Sequence, residues 1–177
     1  MKWFYYLPAV LAASLPAISA AAETPTHAFE CDTPAGHFSY WHRSVTAPAI
    51  EIAGRITVND MLKDKKWSPL ASVVLRSGQN RFGIRFYGVM KTPDMVFLEL
   101  LKVGGRDRIG LLGFIPRTQE PVPFTLRLEA SGLLKVTVAD SEASTQLGEF
   151  KPESLELSCS TGDFEFTGVT VEEKSPT

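Results

Sequence analysis

The chain has 177 residues, with 18 lysines and arginines against 20 aspartates and glutamates, and its formal net charge is −2 at pH 7. This balance excludes a polycation of the kind that binds nucleic acid through its charge. Hydrophobic residues make up 44% of the sequence, which is enough for the core of one folded domain.

The N-terminal segment, MKWFYYLPAVLAASLPAISAAAETP, has one basic residue, Lys2, followed by an apolar run and then small residues. This is the pattern of a secretory signal peptide, and the run is too short and too interrupted by proline for a spanning helix. We therefore predict a signal peptide over residues 1–22, export to a periplasm or the cell exterior, and no membrane span in the mature chain. An uncleaved membrane anchor is the alternative.

The segment HFSYWHRS, which begins at His37, concentrates aromatic and histidine side chains. His37 and His42 are five positions apart, which in a strand predicts opposite faces and excludes a shared metal ion. Two interpretations of the segment remain open. In one, Phe38 and Tyr40 lie in the core and Trp41 lies on a half-covered surface. In the other, Trp41 is exposed and stacks on a sugar ring.

Short runs of alternating apolar and polar residues, bounded by Gly, Pro, Asn or Asp, continue along the chain and predict strands. These runs are AIEIAGRITV, LASVVLRSG, RFGIRFYG, MVFLELLKVGG, RIGLLGF, PFTLRLEASGLLKVTVAD, STQLGEF, ESLELSC and GDFEFTGVTVEE. Only VNDMLKDKKWSP breaks the pattern. It can hold one helical turn capped by Asn59 or Asp60 and ended before Pro69.

This alternation favours two packed antiparallel sheets, each with one dry face. Short strands at regular spacing, without repeats or a change in composition, indicate one β-sandwich domain over residues 23–172. The polar residues 173–177 are then a flexible tail.

The two cysteines, Cys31 and Cys159, lie near the two ends of the mature chain. In an exported protein an isolated pair predicts a disulfide bond, which would place the first and last strands next to each other. A catalytic or metal-binding thiol is the alternative, although no C-x-x-C motif is present.

The segment PFTLRLEASGLLKVTVAD resembles the paired strands of concanavalin A-like and laminin G-like jelly rolls, in which a P-F-x-L-x-L strand turns through S-G. GDFEFTGVTVEE resembles the closing strand of such domains, which returns beside the N-terminal strand. The resemblance extends over most of residues 27–172 as a strand pattern. It implies an all-β fold, a two-sheet antiparallel jelly-roll sandwich of the concanavalin A-like type, and by itself implies no activity.

Hydrolases of this superfamily cluster their carboxylates in an E-x-D-x-x-E strand, because one acid attacks while another donates a proton. This sequence has no such cluster, and Glu99 and Glu129 each stand alone in their strands. Lyases of similar fold use Arg, His, Gln and Tyr in set strand motifs, which are absent although Arg85, Tyr87 and His42 supply three of the residue types. The sequence also lacks a phosphate loop and an ordered metal-binding pattern, so we predict no cofactor and no metal site.

Arg85 and Tyr87 share the non-core face of one predicted strand, Glu99 lies on the next, and Arg127 lies on a later one. If these strands belong to one sheet, their polar sides form a face that can bind an acidic or hydroxyl-rich glycan. The alternative is a solvated face with cross-strand Arg–Glu pairs. Trp67, an aromatic residue at a loop tip beside lysines, either contacts a ligand or caps the end of the sandwich.

The residues predicted to contact a ligand are therefore Trp41, Trp67, Arg85, Tyr87, Glu99 and Arg127. They lead to the hypothesis of an exported, lectin-like binding module that recognises a glycan or a cell-envelope component without turnover. One alternative is a polysaccharide hydrolase or lyase with its site on the concave sheet. The other is a structural or assembly subunit that binds an envelope protein.

Overall fold

The computed structural model describes residues 25–89, 91–103 and 110–174, and these residues form strands and no helix. The strands are β1 (His27–Ser44), β2 (Ala49–Met61), β3 (Leu70–Ser77), β4 (Asn80–Val89), β5 (Thr92–Val103), β6 (Leu111–Pro116), β7 (Val122–Leu128), β8 (Leu133–Val138), β9 (Ser141–Gln146) and β10 (Ser154–Lys174). A helix with the length and apolar character of a membrane span is thus absent from these ranges. The predicted signal peptide, residues 1–22, lies outside them.

The strands pair in the order β6-β5-β4-β3-β10-β2-β7-β8-β9, with β1 also beside β10, and the pairs are antiparallel. The long strand β10 belongs to both halves of this path. Its residues 154–160 pair with β3, and its residues 162–174 pair with β2. Between them Thr161 has a positive φ of 57°.

Strand β1 follows the same division, because its residues 38–44 pair with the first half of β10 and its residues 27–33 pair with the second half. Two sheets result. The front sheet contains residues 38–44 of β1, residues 154–160 of β10, and β3, β4, β5 and β6. The back sheet contains the other halves of β1 and β10 with β2, β7, β8 and β9.

Aromatic contacts demonstrate that the two sheets pack face to face. Phe86 of β4 and Phe124 of β7 have ring centroids 6.4 Å apart, although β3, β10 and β2 separate their strands along the sheet path. Within the back sheet, Phe124 also meets Phe166 of β10 across β2, with centroids 6.2 Å apart. The side chains between the sheets are almost fully buried, as a dry sandwich core requires. The predicted two-sheet antiparallel sandwich is therefore confirmed.

The hairpin predicted from PFTLRLEASGLLKVTVAD is formed by β7 and β8. Phe124, Leu126 and Leu128 are buried on the first strand, and Val136 and Val138 are buried on the return. The turn contains Gly132 at a φ of 79°, a conformation that glycine adopts at no steric cost.

Cys31 and Cys159 form a disulfide bond, with their Cα atoms 6.1 Å apart, and both residues are buried. The predicted bridge and the predicted neighbourhood of the first and last strands are both confirmed. Cys31 lies in the back sheet and Cys159 in the front sheet. The bridge therefore ties the two sheets together where β1 and β10 pass between them.

Two local predictions were wrong. The helical turn predicted in VNDMLKDKKWSP does not form, because β2 continues to Met61 and residues 62–69 make a loop. The runs ESLELSC and GDFEFTGVTVEE, predicted as two strands, are one continuous strand, β10, that bends at Thr161.

The C-terminal end of β10 continues to Lys174, beyond residue 173, where the predicted tail begins. The Glu173 carboxylate accepts hydrogen bonds from the backbone N–H groups of Thr46, at 2.9 Å, and Ala47, at 3.1 Å. These bonds hold the pKa of Glu173 below its ordinary value, and the bond from the Thr46 backbone contributes most. The carboxylate thereby fastens the β1–β2 connection to the last strand.

Glu173→Gln is expected to lower the free energy of unfolding by about 1 kcal/mol at neutral pH, because the backbone donors lose a charged acceptor. A carboxyl whose pKa is lower in the folded state stabilises the fold above its unfolded pKa, and this contribution is lost as the pH falls through the folded pKa. The deficit should therefore be complete at neutral pH and disappear in acid. Denaturant titrations at several pH values would measure it. Glu172→Gln, on the exposed neighbour, should show no deficit, and an equal deficit there would contradict the assignment.

Candidate functional site

The outer face of the front sheet carries side chains in rows that the strand register fixes. One row crosses from β1 to β5 through Phe38, Ser160, Leu70, Tyr87 and Phe97. The next row crosses through Tyr40, Ser158, Ser72, Arg85 and Glu99. In both rows the β1 edge is aromatic and the β10 position is a serine.

The side chains along the middle of this face are small and project little above the sheet. Ser72 and Ser158 lie side by side with their hydroxyl oxygens 2.7 Å apart. Gly83 lies on β4 one row further along, and a side chain there would collide with the backbone of Val73. Large side chains stand on the β1 edge, so the face forms a trough, which we call the front groove.

The front groove contains two cavities that meet at Phe38. The first, of about 570 Å³, is lined among others by His37, Phe38, Trp67, Arg85, Tyr87 and Ser160. The second, of about 480 Å³, continues along β1, β10 and β3 and is lined among others by Phe38, Tyr40, His42, Arg76, Arg81 and Glu156. Because Phe38 borders both, the cavities form one elongated site.

The aromatic rings at the groove are open to solvent. Phe38, Tyr40 and Trp67 have exposed fractions of 56%, 57% and 59%, which is unusual for side chains of this size. The ring centroids of Phe38 and Tyr40 lie 5.9 Å apart. Together the three rings provide an apolar surface along the groove that nothing in the described part of the chain covers.

Trp67 owes its position to a loop that is held by its own side chain–backbone bonds. The Asp64 carboxylate accepts hydrogen bonds from the backbone N–H groups of Lys66, at 2.7 Å, and Trp67, at 2.9 Å. The loop packs on β1 at Gly36, where a Cβ would lie 3.5 Å from the Asp64 carboxylate and 3.8 Å from the Trp67 ring. Asp64 therefore positions Trp67 at the mouth of the first cavity.

Two arginine–glutamate pairs line the groove. Arg85 of β4 pairs with Glu99, its cross-strand neighbour on β5, and its guanidinium lies 5.4 Å from the centroid of the Tyr87 ring. Arg76 of β3 pairs with Glu156 of β10. The cross-strand pairs expected for a solvated face are therefore present, and they border the groove.

Four of the predicted site residues come together at the first cavity. Trp67, Arg85 and Tyr87 line it, and Glu99 joins it through its ion pair with Arg85. Tyr87 also stacks on Phe97, with centroids 5.5 Å apart, which holds its ring at the cavity wall.

Arg127 is not part of this face, and the prediction of one shared sheet was wrong for it. Its strand, β7, pairs with β2 and β8 in the back sheet, and Arg127 projects outward between the buried Leu126 and Leu128. Its guanidinium lies 4.0 Å from the Glu51 carboxylate. On the same side of the molecule the pKa of the half-buried Glu129 is lowered, mainly by a hydrogen bond from Lys135.

The orientation predicted for β1 was also wrong. Phe38 and Tyr40, expected in the core, face the groove, whereas Trp41 packs against the core. The Trp41 ring contacts His27, with centroids 5.3 Å apart. Alternation divides the residues of β1 between two faces but does not show which face points inward. Trp41 pairs with Leu157 of β10, which is fully buried, so the face that carries Trp41 points inward.

His37 and His42, predicted to lie on opposite faces, both line the groove, one in each cavity. The reason is the irregular pairing of β1 between Thr33 and Phe38, where Gly36 has a positive φ and breaks the alternation. Within the described ranges, no three His, Cys, Asp or Glu side chains come together as metal ligands would.

Sequence reasoning missed Phe38, Tyr40, Arg76 and Glu156 as groove residues. The available signal was Ser72 in LASVVL together with Ser158 and Ser160 in ESLELSCS, since small polar residues on the outer face leave room above a sheet.

Neither a protein-family model nor a curated protein sequence matches this chain. Several solved structures, in contrast, are similar to it in fold. The carbohydrate-binding module CBM66 from Bacillus subtilis is similar with a TM-score of 0.51 and 13% identity, over 83% of this chain and 92% of that one. The fold is a concanavalin A-like jelly roll.

Two further solved structures are similar to this chain. The metal-free carbohydrate recognition domain of Emp46p has a TM-score of 0.51 and 12% identity, over 85% of this chain and 83% of that one. The CBM2 module of the evolved Dit from Lactobacillus casei BL23 phage J-1 has a TM-score of 0.53 and 8% identity, over 83% and 77%. At these identities the likeness is one of fold.

Proposed function

We propose that the protein binds a glycan in the front groove and does not turn it over. The observation that carries this proposal is the row of exposed rings, Phe38, Tyr40 and Trp67, along a groove with a serine-lined floor. Aromatic rings stack on the apolar faces of sugars, while hydroxyl groups and charged side chains bond to the sugar hydroxyls. Three structures of similar fold are named as carbohydrate-binding modules or a carbohydrate recognition domain, which supports the same ligand class.

The proposed place of action is a periplasm or the cell exterior. The disulfide between Cys31 and Cys159 supports this, because such bonds persist in oxidising compartments. The signal-peptide pattern over residues 1–22 agrees with it.

The carboxylates of the groove favour binding over hydrolysis. Glu153, in the second cavity, accepts hydrogen bonds from the Ser77 hydroxyl, at 3.4 Å, and the Gly78 backbone N–H, at 3.1 Å. Glu99 lies on β5 and Glu156 on β10, with β3 and β4 between them. Three strand spacings correspond to about 14 Å. A glycosidase needs its two carboxyl groups roughly 5–9.5 Å apart. Glu99 and Glu156 are also each paired with an arginine.

A polysaccharide lyase is the second candidate, and one observation favours it. His37, Arg85 and Tyr87 line the same cavity, and these are residue types that lyases of similar fold use. In such an elimination a base removes the proton beside a uronate carboxylate while a cation neutralises that carboxylate. The pairing of Arg85 with Glu99 opposes this role, because the guanidinium charge is already balanced.

Affinity electrophoresis against a polysaccharide panel, with parallel assays for reducing ends and for the ultraviolet absorbance of unsaturated products, separates these possibilities. Retardation without product is the expected result. Unsaturated product would establish the lyase, and new reducing ends alone would establish a hydrolase. If no polysaccharide retards the protein, the proposal fails, and an envelope protein becomes the partner to seek.

Asp64→Ala is expected to weaken glycan binding about five-fold although Asp64 is not itself a ligand contact, because the loop that presents Trp67 loses two backbone hydrogen bonds worth about 1 kcal/mol. Asp64→Asn keeps an oxygen acceptor at the same place and should restore the affinity. Quantitative affinity electrophoresis would measure both variants. Equal weakening in the two would show that the carboxylate charge matters instead of the loop geometry.

A further inference from the structure

We propose that the glycan is anionic and that its carboxylate or sulfate groups lie at the Trp67 end of the groove, beside Lys63, Lys65 and Lys66. This inference rests on the proposed function and specifies its ligand class. It follows from how the charges of the described residues are distributed around the two cavities.

Among the described residues, the lysines of the Trp67 loop differ from seven other cations in having no ion-pair partner. Many described cations are held in ion pairs, among them Arg43, Arg76, Arg85, Arg117 and Arg127. In the described ranges no ion pair or hydrogen bond involves the side chain of Lys63, Lys65 or Lys66, and all three residues are exposed.

The acid of this loop does not balance them. Asp64 is the only acidic residue in LKDKKWSP, and one of its carboxylate oxygens is occupied by the backbone N–H groups of Lys66 and Trp67. The loop that carries Trp67 therefore has a net positive charge of two. Lys65 and Lys66 directly precede Trp67, whereas Lys63 lines a separate small cavity beside Gly88 and Pro93. The whole chain, in contrast, has a net charge of −2.

Among the described residues, the rest of the groove adds no net charge. Arg85 and Glu99 cancel at the first cavity. At the second cavity Arg76 and Arg81 are balanced by Glu153 and Glu156. The site is thus neutral along its length and cationic at one end, next to the exposed Trp67 ring and the Ser68 and Ser160 positions that line the same cavity.

This arrangement fits a sugar ring with an acidic substituent. Trp67 can stack on the ring while the ammonium groups of the adjacent lysines attract the substituent. Because the lysines are solvated, the attraction is screened by salt and should weaken as ionic strength rises. A neutral glycan has no charge for these lysines to attract, so they would not raise its affinity.

The test compares the binding of anionic and neutral polymers. It also compares a charge reversal in the Trp67 loop with a charge reversal on the back sheet. Affinity electrophoresis uses alginate, polygalacturonate and chondroitin sulfate as anionic probes and dextran and galactomannan as neutral ones, at low and high salt. Lys66→Glu is the test variant. Arg55→Glu is the control, because Arg55 is an exposed cation on β2 of the back sheet and no ion pair is assigned to it in the described residues.

The expected result is retardation by at least one anionic polymer, a decline of that retardation with salt, and a loss of about three-fold or more in affinity for Lys66→Glu. Arg55→Glu should bind as the unmodified protein does. Retardation by a neutral polymer without a salt effect would overturn the anionic ligand and leave glycan binding standing, as would equal losses in the two variants. Absence of retardation by every polymer would overturn glycan binding itself.

Discussion

Replacing Trp67 with alanine is expected to weaken glycan binding by about ten-fold or more and to leave the thermal midpoint of unfolding unchanged. The ring is 59% exposed at the mouth of the first cavity, so the fold loses little when it is removed. A bound sugar, in contrast, loses its stacking surface. Aromatic residues that become buried at binding sites commonly contribute about 2 kcal/mol to the free energy of binding. Affinity electrophoresis with the retarding polysaccharide and a thermal melt would measure the two effects.

Trp41 provides the matched control, because it is the same residue type on the inward face of β1. Trp41→Ala removes packing against the core and is expected to cost about 2 kcal/mol of stability, with the affinity of the folded protein unchanged. Opposite results, in which Trp41→Ala lost binding and Trp67→Ala did not, would contradict the assignment of the groove. They would restore the interpretation in which Trp41 is the stacking residue.

Removal of the disulfide, by the double change Cys31→Ala and Cys159→Ala, is expected to lower the free energy of unfolding by up to about 5 kcal/mol. The bond joins residues 128 positions apart, so it restricts the unfolded chain strongly. It also ties the front and back sheets at the strands they share. Such a loss is a large part of the roughly 5–15 kcal/mol that stabilises a typical domain.

Denaturant unfolding with and without a reducing agent would measure this contribution. Reduction should destabilise the unmodified protein and have no effect on the double variant, which serves as its own control. If the double variant unfolded at the same denaturant concentration as the oxidised protein, the bridge would contribute nothing, and the proposed stabilisation would be wrong.

The pattern within strands was predictable because it depends on neighbouring residues alone. Alternation identified β4 and β7 as strands with one apolar face, and the apolar residues of that face are buried. The disulfide was predictable from the number of cysteines and the predicted signal peptide. It also correctly implied that the first and last strands are neighbours.

The orientation of β1 and the sheet membership of β7 were not predictable in the same way. Both depend on contacts between distant parts of the chain. Trp41 points inward because Leu157, more than a hundred positions later, pairs beside it. Arg127 is separated from Arg85 because β10 passes from one sheet to the other at Thr161, a bend that no local motif marks.

The groove itself was only partly predictable. Arg85, Tyr87 and Glu99 were found from their shared face, whereas Phe38 and Tyr40 were assigned to the core because aromatic residues in a strand usually lie there. The loop with Trp67 was expected to hold a helical turn. Its observed shape depends on the Asp64 hydrogen bonds and on the contact of the loop with β1 at Gly36.

Glycan binding in the front groove is tested most directly by mapping amide chemical-shift changes by NMR while the retarding polysaccharide, or an oligosaccharide prepared from it, is added to isotope-labelled protein. We expect the changes to concentrate at Phe38, Tyr40, Trp67, Arg85 and Tyr87. Changes concentrated on the back sheet, around Glu51 and Arg127, would contradict the assignment of the site.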